Sequence, residues 1–477
     1  MCELDLPLKF AQKLYQEFSV RHPNAFYLRT RQRGMQNWDG KIHYINKHGE
    51  FKIGLLPAVY EKCIEYGIKP KVVDMRQPLP KVNEVVTKIG EYKLRPEQEK
   101  AVKAVINNKV GKVPFQIGVL DYTVNAGKTL IMSSLYLSYK KQLKTLLITN
   151  DSDWLNQARD EFKKYLPGEQ ITFVQGKVLN WSNFTIGMVQ SISRNMRFYQ
   201  NELSKVDMVL VDEADQAGSK QYQNVLTRLF NTRVRIGLSG TIYMSKLAKD
   251  KVKNMNLEVF FGKVLAEFKL KDSIKKGYST RTIVKMVPSK PWYGNWESEE
   301  VSYKEVYDDS ITFNKYAKRM VYSRLKWNLK QDRYPALVVC KFIAHCENLC
   351  KYFKKKLGSK YNIACVHVDT PSKIRQQIMK DFREGKIDIL VSTTIIARGK
   401  NFPKLRYLLN AASMLSNEKT IQFLGRLVRT DSSKKKAYVD DLMYPGNYLS
   451  RHARARKRYY QVEKLKVILV KRPKHKL

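Results

Sequence analysis

Residues 117–139 read Ile-Gly-Val-Leu-Asp-Tyr-Thr-Val-Asn-Ala-Gly-Lys-Thr-Leu-Ile-Met-Ser-Ser-Leu-Tyr-Leu-Ser-Tyr. The apolar run Ile117 to Leu120 predicts a strand, and Leu130 to Tyr139 predicts a helix. Between them stands the turn Gly127-Lys128-Thr129. A strand, a tight turn and a helix in that order suit an anion. Free N–H groups at the helix start face it, and the helix dipole adds attraction. Lys128 is expected to reach the outer phosphates of a nucleotide and Thr129 to hold magnesium, with Asn125, Ala126 and Gly127 as the backbone cradle. ATP and Mg²⁺ are the expected ligands. The stretch departs from G-x-x-x-x-G-K-[ST], because Tyr122 stands at the first glycine position. Asn125 stands where glycine is frequent, and Asn tolerates left-handed backbone angles better than most residues.

Working outward, Thr145 to Ile148, Thr185 to Val189, Met208 to Val211 and Arg235 to Leu238 read as further short apolar strands separated by helical patterns. That alternation predicts a parallel sheet covered by helices on both faces. The series repeats from Ala336: Leu337 to Cys340, Ile363 to Val368, Ile387 to Val391, Leu405 to Leu409 and Ala437 to Val439. The fold class is therefore α/β, with two similar parallel-sheet halves in tandem. Residues 280–335 read as polar and aromatic, largely helical after Ser302, and are not assigned a strand. Residues 1–88 hold short amphipathic pieces, expected as a small α+β domain, and Pro78 and Pro80 mark a linker. The expected domains are 1–88, 89–270, 271–440 and a basic helical tail over 441–477.

The chain has 477 residues, too many for one compact core. It carries 88 Lys plus Arg against 44 Asp plus Glu, a formal net charge of +44. A surface that basic favours polyanions, nucleic acid first and an anionic membrane surface second. Residues 451–477 alone hold eleven Lys or Arg against one acid, Glu463. That segment reads either as a basic helix on nucleic acid or as a solvated face. No apolar run is long enough to span a bilayer, and the N-terminus lacks the plan of a signal peptide, so a cytoplasmic place and no membrane partner are expected. The cysteines show no C-x-x-C spacing. Cys340, Cys346 and Cys350 beside His345 read as idle thiols rather than a metal site.

Val209-Leu210-Val211 ends in Asp212-Glu213-Ala214-Asp215. Paired carboxylates at a strand end suit metal-assisted hydrolysis: Asp212 to hold Mg²⁺ and Glu213 to polarise the attacking water. Ser239-Gly240-Thr241 follows the next strand as a candidate link to the domain interface. Gln98, near the start of a predicted helix, offers an amide donor and acceptor that could read an adenine edge. Residues 422–429, Gln-Phe-Leu-Gly-Arg-Leu-Val-Arg, are predicted as helix, which puts Arg426 and Arg429 on one face. Two guanidinium groups there suit a γ-phosphate.

In this order, Gln98, the Gly127-Lys128-Thr129 loop, Asp212 to Asp215, Ser239 to Thr241, Ala397-Arg398-Gly399 and the Gln422 to Arg429 segment resemble the motifs of superfamily-2 helicases. The resemblance covers roughly residues 90–440. It implies two RecA-like motor domains with ATP between them, Arg426 and Arg429 acting on the γ-phosphate, and Gln422 and Gly399 at the nucleotide. It also implies that the stretches holding Thr149, Gln190, Ser191 and Thr393 grip a nucleic-acid backbone. Asn401 departs from the family's usual Asp. The turn Asn37-Trp38-Asp39-Gly40-Lys41 and the run Tyr438-Val439-Asp440-Asp441-Leu442 resemble the UvsW-type branched-DNA helicases of T-even phages. That likeness implies an N-terminal DNA-binding domain, to which Arg29, Arg31, Arg33 and Lys41 are assigned. It implies action on forks, junctions or R-loops in phage recombination, repair or replication, with branched DNA as partner, and a monomer is expected. Asp39-Gly40 alone reads as a hairpin turn, with Trp38 packing a small core or stacking on a base. Two other readings stay open: an ATP-dependent RNA helicase, and an annealing or binding protein with a weak motor.

Overall fold

The computed structural model describes residues 2–31, 34–150, 152–178, 180–240, 248–289, 302–397, 402–413, 417–432 and 434–470. Two compact units divide the chain, Met1–Phe268 and Lys269–Leu477.

The first unit is built on a seven-stranded parallel sheet. Its spatial order is Val264–Phe268, Ile117–Tyr122, Val234–Ser239, Met208–Asp212, Thr145–Thr149, Phe184–Met188, Ile171–Val174. The central strands are buried along their whole length, as apolar runs covered on both faces must be. Ile117–Tyr122 is followed in sequence by Thr145–Thr149, which lies beyond two intervening strands. This change of direction places a crevice at the carboxyl ends of the strands, where ligands of open parallel sheets bind. All five strands expected in this half are present. Two more, Ile171–Val174 and Val264–Phe268, lie at the sheet edges.

The N-terminal segment is built onto this unit. Helices Leu8–Glu17 and Leu56–Glu65 send Leu14, Phe18, Val59 and Cys63 into the same apolar cluster as Leu257, Phe260 and Phe261. A side chain at Gly54 would meet the Glu258 carbonyl oxygen at 2.2 Å, so glycine there permits the close approach. Lys41–His43 does not form a hairpin across Asp39-Gly40. It pairs antiparallel with Ser19–Arg21, on the far side of helix Ala25–Arg31. Trp38 is half-buried and pins the turn by donating Nε1–H to the Lys41 carbonyl at 2.9 Å, instead of filling a core.

The second unit repeats the plan. Its parallel sheet runs Ile363–Val366, Ile389–Ser392, Ala336–Val339, Tyr407–Asn410, Lys436–Met443, Arg281–Pro288, Lys466–Leu469. The five expected strands are again present. Arg281–Pro288, in the stretch read as polar and aromatic, is an interior strand between Lys436–Met443 and Lys466–Leu469. The C-terminal segment is helical over Asn447–Val462, then supplies that last edge strand. Through residue 470 it is therefore part of the folded unit. Arg456 on the helix is fully buried and forms a two-pronged ion pair with Asp441, which also accepts from Tyr460 and Asn410. Among the described residues no helix is long and apolar enough to cross a membrane.

Candidate nucleotide and nucleic-acid site

The phosphate loop leaves the sheet at Thr123. Tyr122, the residue that breaks the sequence pattern, is still in the strand. It is buried, packs near Phe268, and donates its hydroxyl to the Glu97 carbonyl at 2.6 Å. The turn therefore begins after it and needs no glycine there. Asn125 takes φ 66° and Gly127 φ 72°, the left-handed angles that close the turn. Helix Lys128–Ser138 follows at once. Its residues Leu130 to Tyr136 are all buried, so it is a central helix rather than an amphipathic surface one.

Gln98 lies at the third position of helix Pro96–Ile106 and is 2 % exposed. Its Oε1 accepts from the Arg95 N–H at 2.8 Å, and its Nε2 donates to the Ala126 carbonyl at 2.9 Å. Both amide ends are thus engaged with backbone. The expected adenine contact gives way, in this conformation, to a brace that holds the loop. A side chain at position 127 would sit 2.3 Å from Gln98 Nε2, a second reason for glycine.

Asp212 ends its strand on the crevice side, with Lys128 Nζ 3.6 Å from Oδ1. That oxygen is buried and accepts no hydrogen bond among the described residues, which fits a carboxylate awaiting a hydrated cation. Glu213 adopts φ 52° and ψ 47°, an uncommon conformation for a side chain of its size. Its Oε2 accepts from Gln216 Nε2 at 3.3 Å. Gln216 Oε1 in turn accepts from Asn150 Nδ2, and the Asn150 carbonyl accepts from Gln190 Nε2 at 3.2 Å. Ser239 donates to Asp215 at 2.7 Å within the buried interior. A side chain at Gly240 would lie 2.9 Å from Thr123 Cα, so the end of that strand abuts the loop. The Tyr222 hydroxyl is pushed well above its usual pKa, by burial first and then by Glu213, Asp212 and Asp215.

The first sheet brings Lys128, Thr129, Asp212, Glu213 and Gln190 to the carboxyl ends of parallel strands. Ser191 is half-buried beside Gln190 in helix Val189–Arg194. Thr149 ends its strand only 2 % exposed, so its side chain is interior. Arg29, Arg31 and Lys41 belong to the N-terminal segment, and Arg33 lies outside the described residues. Thr241, Arg398, Gly399 and Asn401 do so as well.

In the second unit, Thr393 is buried just after strand Ile389–Ser392. Gln422 and Arg426 lie on helix Asn417–Leu427. Arg429 corrects the sequence reading: the helix ends at Leu427, and Arg429 follows it. Thr280 anchors this exit, donating its N–H to the Val428 carbonyl at 2.6 Å and its hydroxyl to the Arg429 carbonyl at 3.0 Å. Lys434 caps the helix end through the Leu427 carbonyl at 2.8 Å, and burial pulls its pKa down to about 8. His345 meets the Tyr307 hydroxyl at 2.9 Å, and no three His, Cys, Asp or Glu side chains converge on a metal site among the described residues.

Sequence reasoning missed Gln216 and Asn150, which tie Glu213 to Gln190. The only sequence sign was that Gln216 directly follows the acidic strand end.

Residues 91–244 match the family described as the type III restriction enzyme res subunit, and residues 317–431 match the helicase conserved C-terminal domain. The chain is 22 % identical over 454 residues to the ATP-dependent DNA helicase uvsW of Enterobacteria phage T4, covering 90 % of this chain and 86 % of that protein. A fragment of a putative HsdR subunit of a type I restriction enzyme from Vibrio vulnificus covers 78 % of this chain and 68 % of its own, at 15 % identity and TM-score 0.58. Dbp5 of S. cerevisiae, bound to RNA and ADP BeF3, covers 79 % of this chain and 90 % of its own, at 15 % identity and TM-score 0.52. The two structural likenesses show the fold. With one helicase-family match falling on each unit, the chain is an ATP-hydrolysing helicase of superfamily-2 type.

Proposed function

We propose that this helicase is an ATP-dependent DNA translocase that remodels branched DNA, such as forks, junctions and R-loops, in phage recombination, repair or replication. The observation that carries the motor chemistry is the buried Asp212 carboxylate facing Lys128 at 3.6 Å beside a loop closed by Asn125 and Gly127. Lys128 neutralises the outer phosphates, and the loop N–H groups hold them. Asp212 and Thr129 would hold Mg²⁺, which supplies charge neutralisation at the transferring phosphoryl group. Glu213 orients the attacking water, with Gln216 fixing its carboxylate. Arg426 and Arg429 stabilise the charge that develops on the γ-phosphate. Support for DNA as the track comes from the phage T4 relative, an ATP-dependent DNA helicase matched along 90 % of the chain; branched DNA rests on the likeness of Asn37–Lys41 and Tyr438–Leu442 to the branched-DNA helicases. The excess of 44 positive charges supports a polyanionic track of either kind.

Phosphate release measured on forked DNA, four-way junctions, linear duplex, single strands and structured RNA tests the proposal. Strongest stimulation by forks and junctions is expected. Equal or greater stimulation by structured RNA would overturn it.

A further inference from the structure

The N-terminal segment contains a hollow of about 540 Å³, a size that takes a small ligand rather than a duplex. Its walls include Arg21, Phe26, Arg29, Asp39 and Lys41. Three features of these walls point to one kind of occupant.

Arg21 and Lys41 are direct partners in the register of the two short antiparallel strands. Like charges placed opposite each other in such a pair are destabilising. Among the described residues, neither makes an ion pair, and Arg29 makes none. Asp39, the acid in the hollow, is already engaged: it accepts from the Lys41 N–H at 2.9 Å and meets His43 Nε2 at 2.8 Å. Three cations against the single acid Asp39, which itself attracts Lys41, leave the concave space net positive, and that fits an anion between them.

Phe26 lies on the same wall and is 79 % exposed. It belongs to helix Ala25–Arg31, and Arg29 stands three residues on, which puts the two on neighbouring positions of one face. A large aromatic ring left in water beside a cationic cluster offers a flat surface for a planar apolar group. The third feature is the shape. A duplex buries the faces of its bases, so a ring in a hollow can stack only on a base that has left its pair.

We propose that this hollow binds an unpaired nucleotide of a nucleic-acid strand. Arg21, Lys41 and Arg29 take the phosphate, and Phe26 stacks on the base. The inference rests on the helicase reading and deepens it, because unpaired nucleotides at a branch point distinguish a fork from a duplex.

The test uses the full chain and oligonucleotide forks carrying 2-aminopurine at an unpaired position next to the branch, prepared with DNA or RNA in that arm, alongside blunt duplex DNA. The unmodified protein is expected to change the 2-aminopurine fluorescence on binding. Phe26→Ala is expected to abolish that change and weaken fork binding at least about fivefold, the lower range for loss of a stacked base. It is expected to leave blunt-duplex affinity as it was. Because Phe26 is exposed, the thermal midpoint should stay in place. Arg21→Gln should also weaken fork binding and flatten its salt dependence by about 0.7 in the logarithmic slope, the value for one single-strand phosphate. An unchanged fluorescence response in Phe26→Ala overturns the pocket, as does equal weakening on fork and duplex. If the unmodified chain shows no ATPase stimulation by any fork, the functional reading fails instead. The DNA and RNA arms show which sugar the pocket accepts.

Discussion

The ammonium nitrogen of Lys128 stands 3.6 Å from Oδ1 of Asp212, linking the start of helix Lys128–Ser138 to the end of strand Met208–Asp212. The two residues are far apart in sequence and meet because both strands run parallel with a single strand between them. Lys128→Ala is expected to reduce ATP hydrolysis to background in a phosphate-release assay. Asp212→Asn should do the same at every magnesium concentration. Retained turnover in Lys128→Ala would show that the phosphate site lies elsewhere.

Gln216 is expected to matter for rate more than for binding. It holds the Glu213 carboxylate from one side and receives Asn150 on the other. Misplacing a catalytic group by about 1 Å can cost on the order of 100-fold. Gln216→Ala should lower kcat about 10- to 100-fold, with KM for ATP within about twofold of the original. A loss carried wholly by KM would place Gln216 in nucleotide binding.

The Gln98 brace yields a different pattern. Gln98→Ala removes the donor to Ala126 and the acceptor for Arg95, and frees the loop. Loss of two buried hydrogen bonds of this kind is worth about 1–3 kcal/mol. The expected result is weaker ATP binding with a similar loss for GTP, measured by titration calorimetry. A selective loss of ATP over GTP would restore the adenine contact expected from sequence.

In the second unit, Asp441 and Arg456 are both fully buried and held by paired hydrogen bonds. Removing one partner of a buried ion pair typically costs about 3–5 kcal/mol. Arg456→Ala should therefore lower the unfolding midpoint of the second unit sharply. A pair of apolar replacements at both positions should be milder than either single change. If Arg456→Ala were neutral, the C-terminal helix would not be an integral part of that unit.

Acid sensitivity follows from His345. Burial brings its pKa down to about 3, against an ordinary 6.5. The folded state keeps the ring neutral while the unfolded chain takes up a proton below pH 6.5, so stability falls as pH drops from 6.5 toward 3. Each pH unit in that window costs about 1.4 kcal/mol. His452, pulled down to about 4 chiefly by burial, adds to the same trend. Thermal midpoints of the full chain should decline between pH 6.5 and 5.5, and less so in His345→Asn. An identical decline in that variant would exclude His345 as a source.

What the sequence showed most clearly were the interior strands, because Ile117–Tyr122 and Met208–Asp212 are apolar on both faces. Edge strands such as Ile171–Val174 were hidden by their partial exposure. Arg281–Pro288 was hidden for another reason: Arg281 and Lys285 interrupt its apolar pattern, and its partners come from the far C-terminus. The residues Lys128, Asp212 and Glu213 were legible from local motif and context. The engagement of Gln98 with Ala126, the exit of Arg429 from its helix and the Gln216 link were not, since each depends on contacts between segments that no local pattern records. The same holds for Arg21, whose significance arises only when its register with Lys41 is known.

Under the proposed function, hydrolysis needs Lys128 on the phosphate loop and also Arg426 and Arg429. The most direct measurement is single-turnover ATP hydrolysis on forked DNA by the unmodified chain and by Arg429→Ala, with nucleotide and DNA binding measured in parallel. An arginine finger is worth about 10³ to 10⁵ in turnover. A loss of at least about 10³ is expected in Arg429→Ala, with both ligands still bound. Turnover near that of the unmodified chain would contradict it.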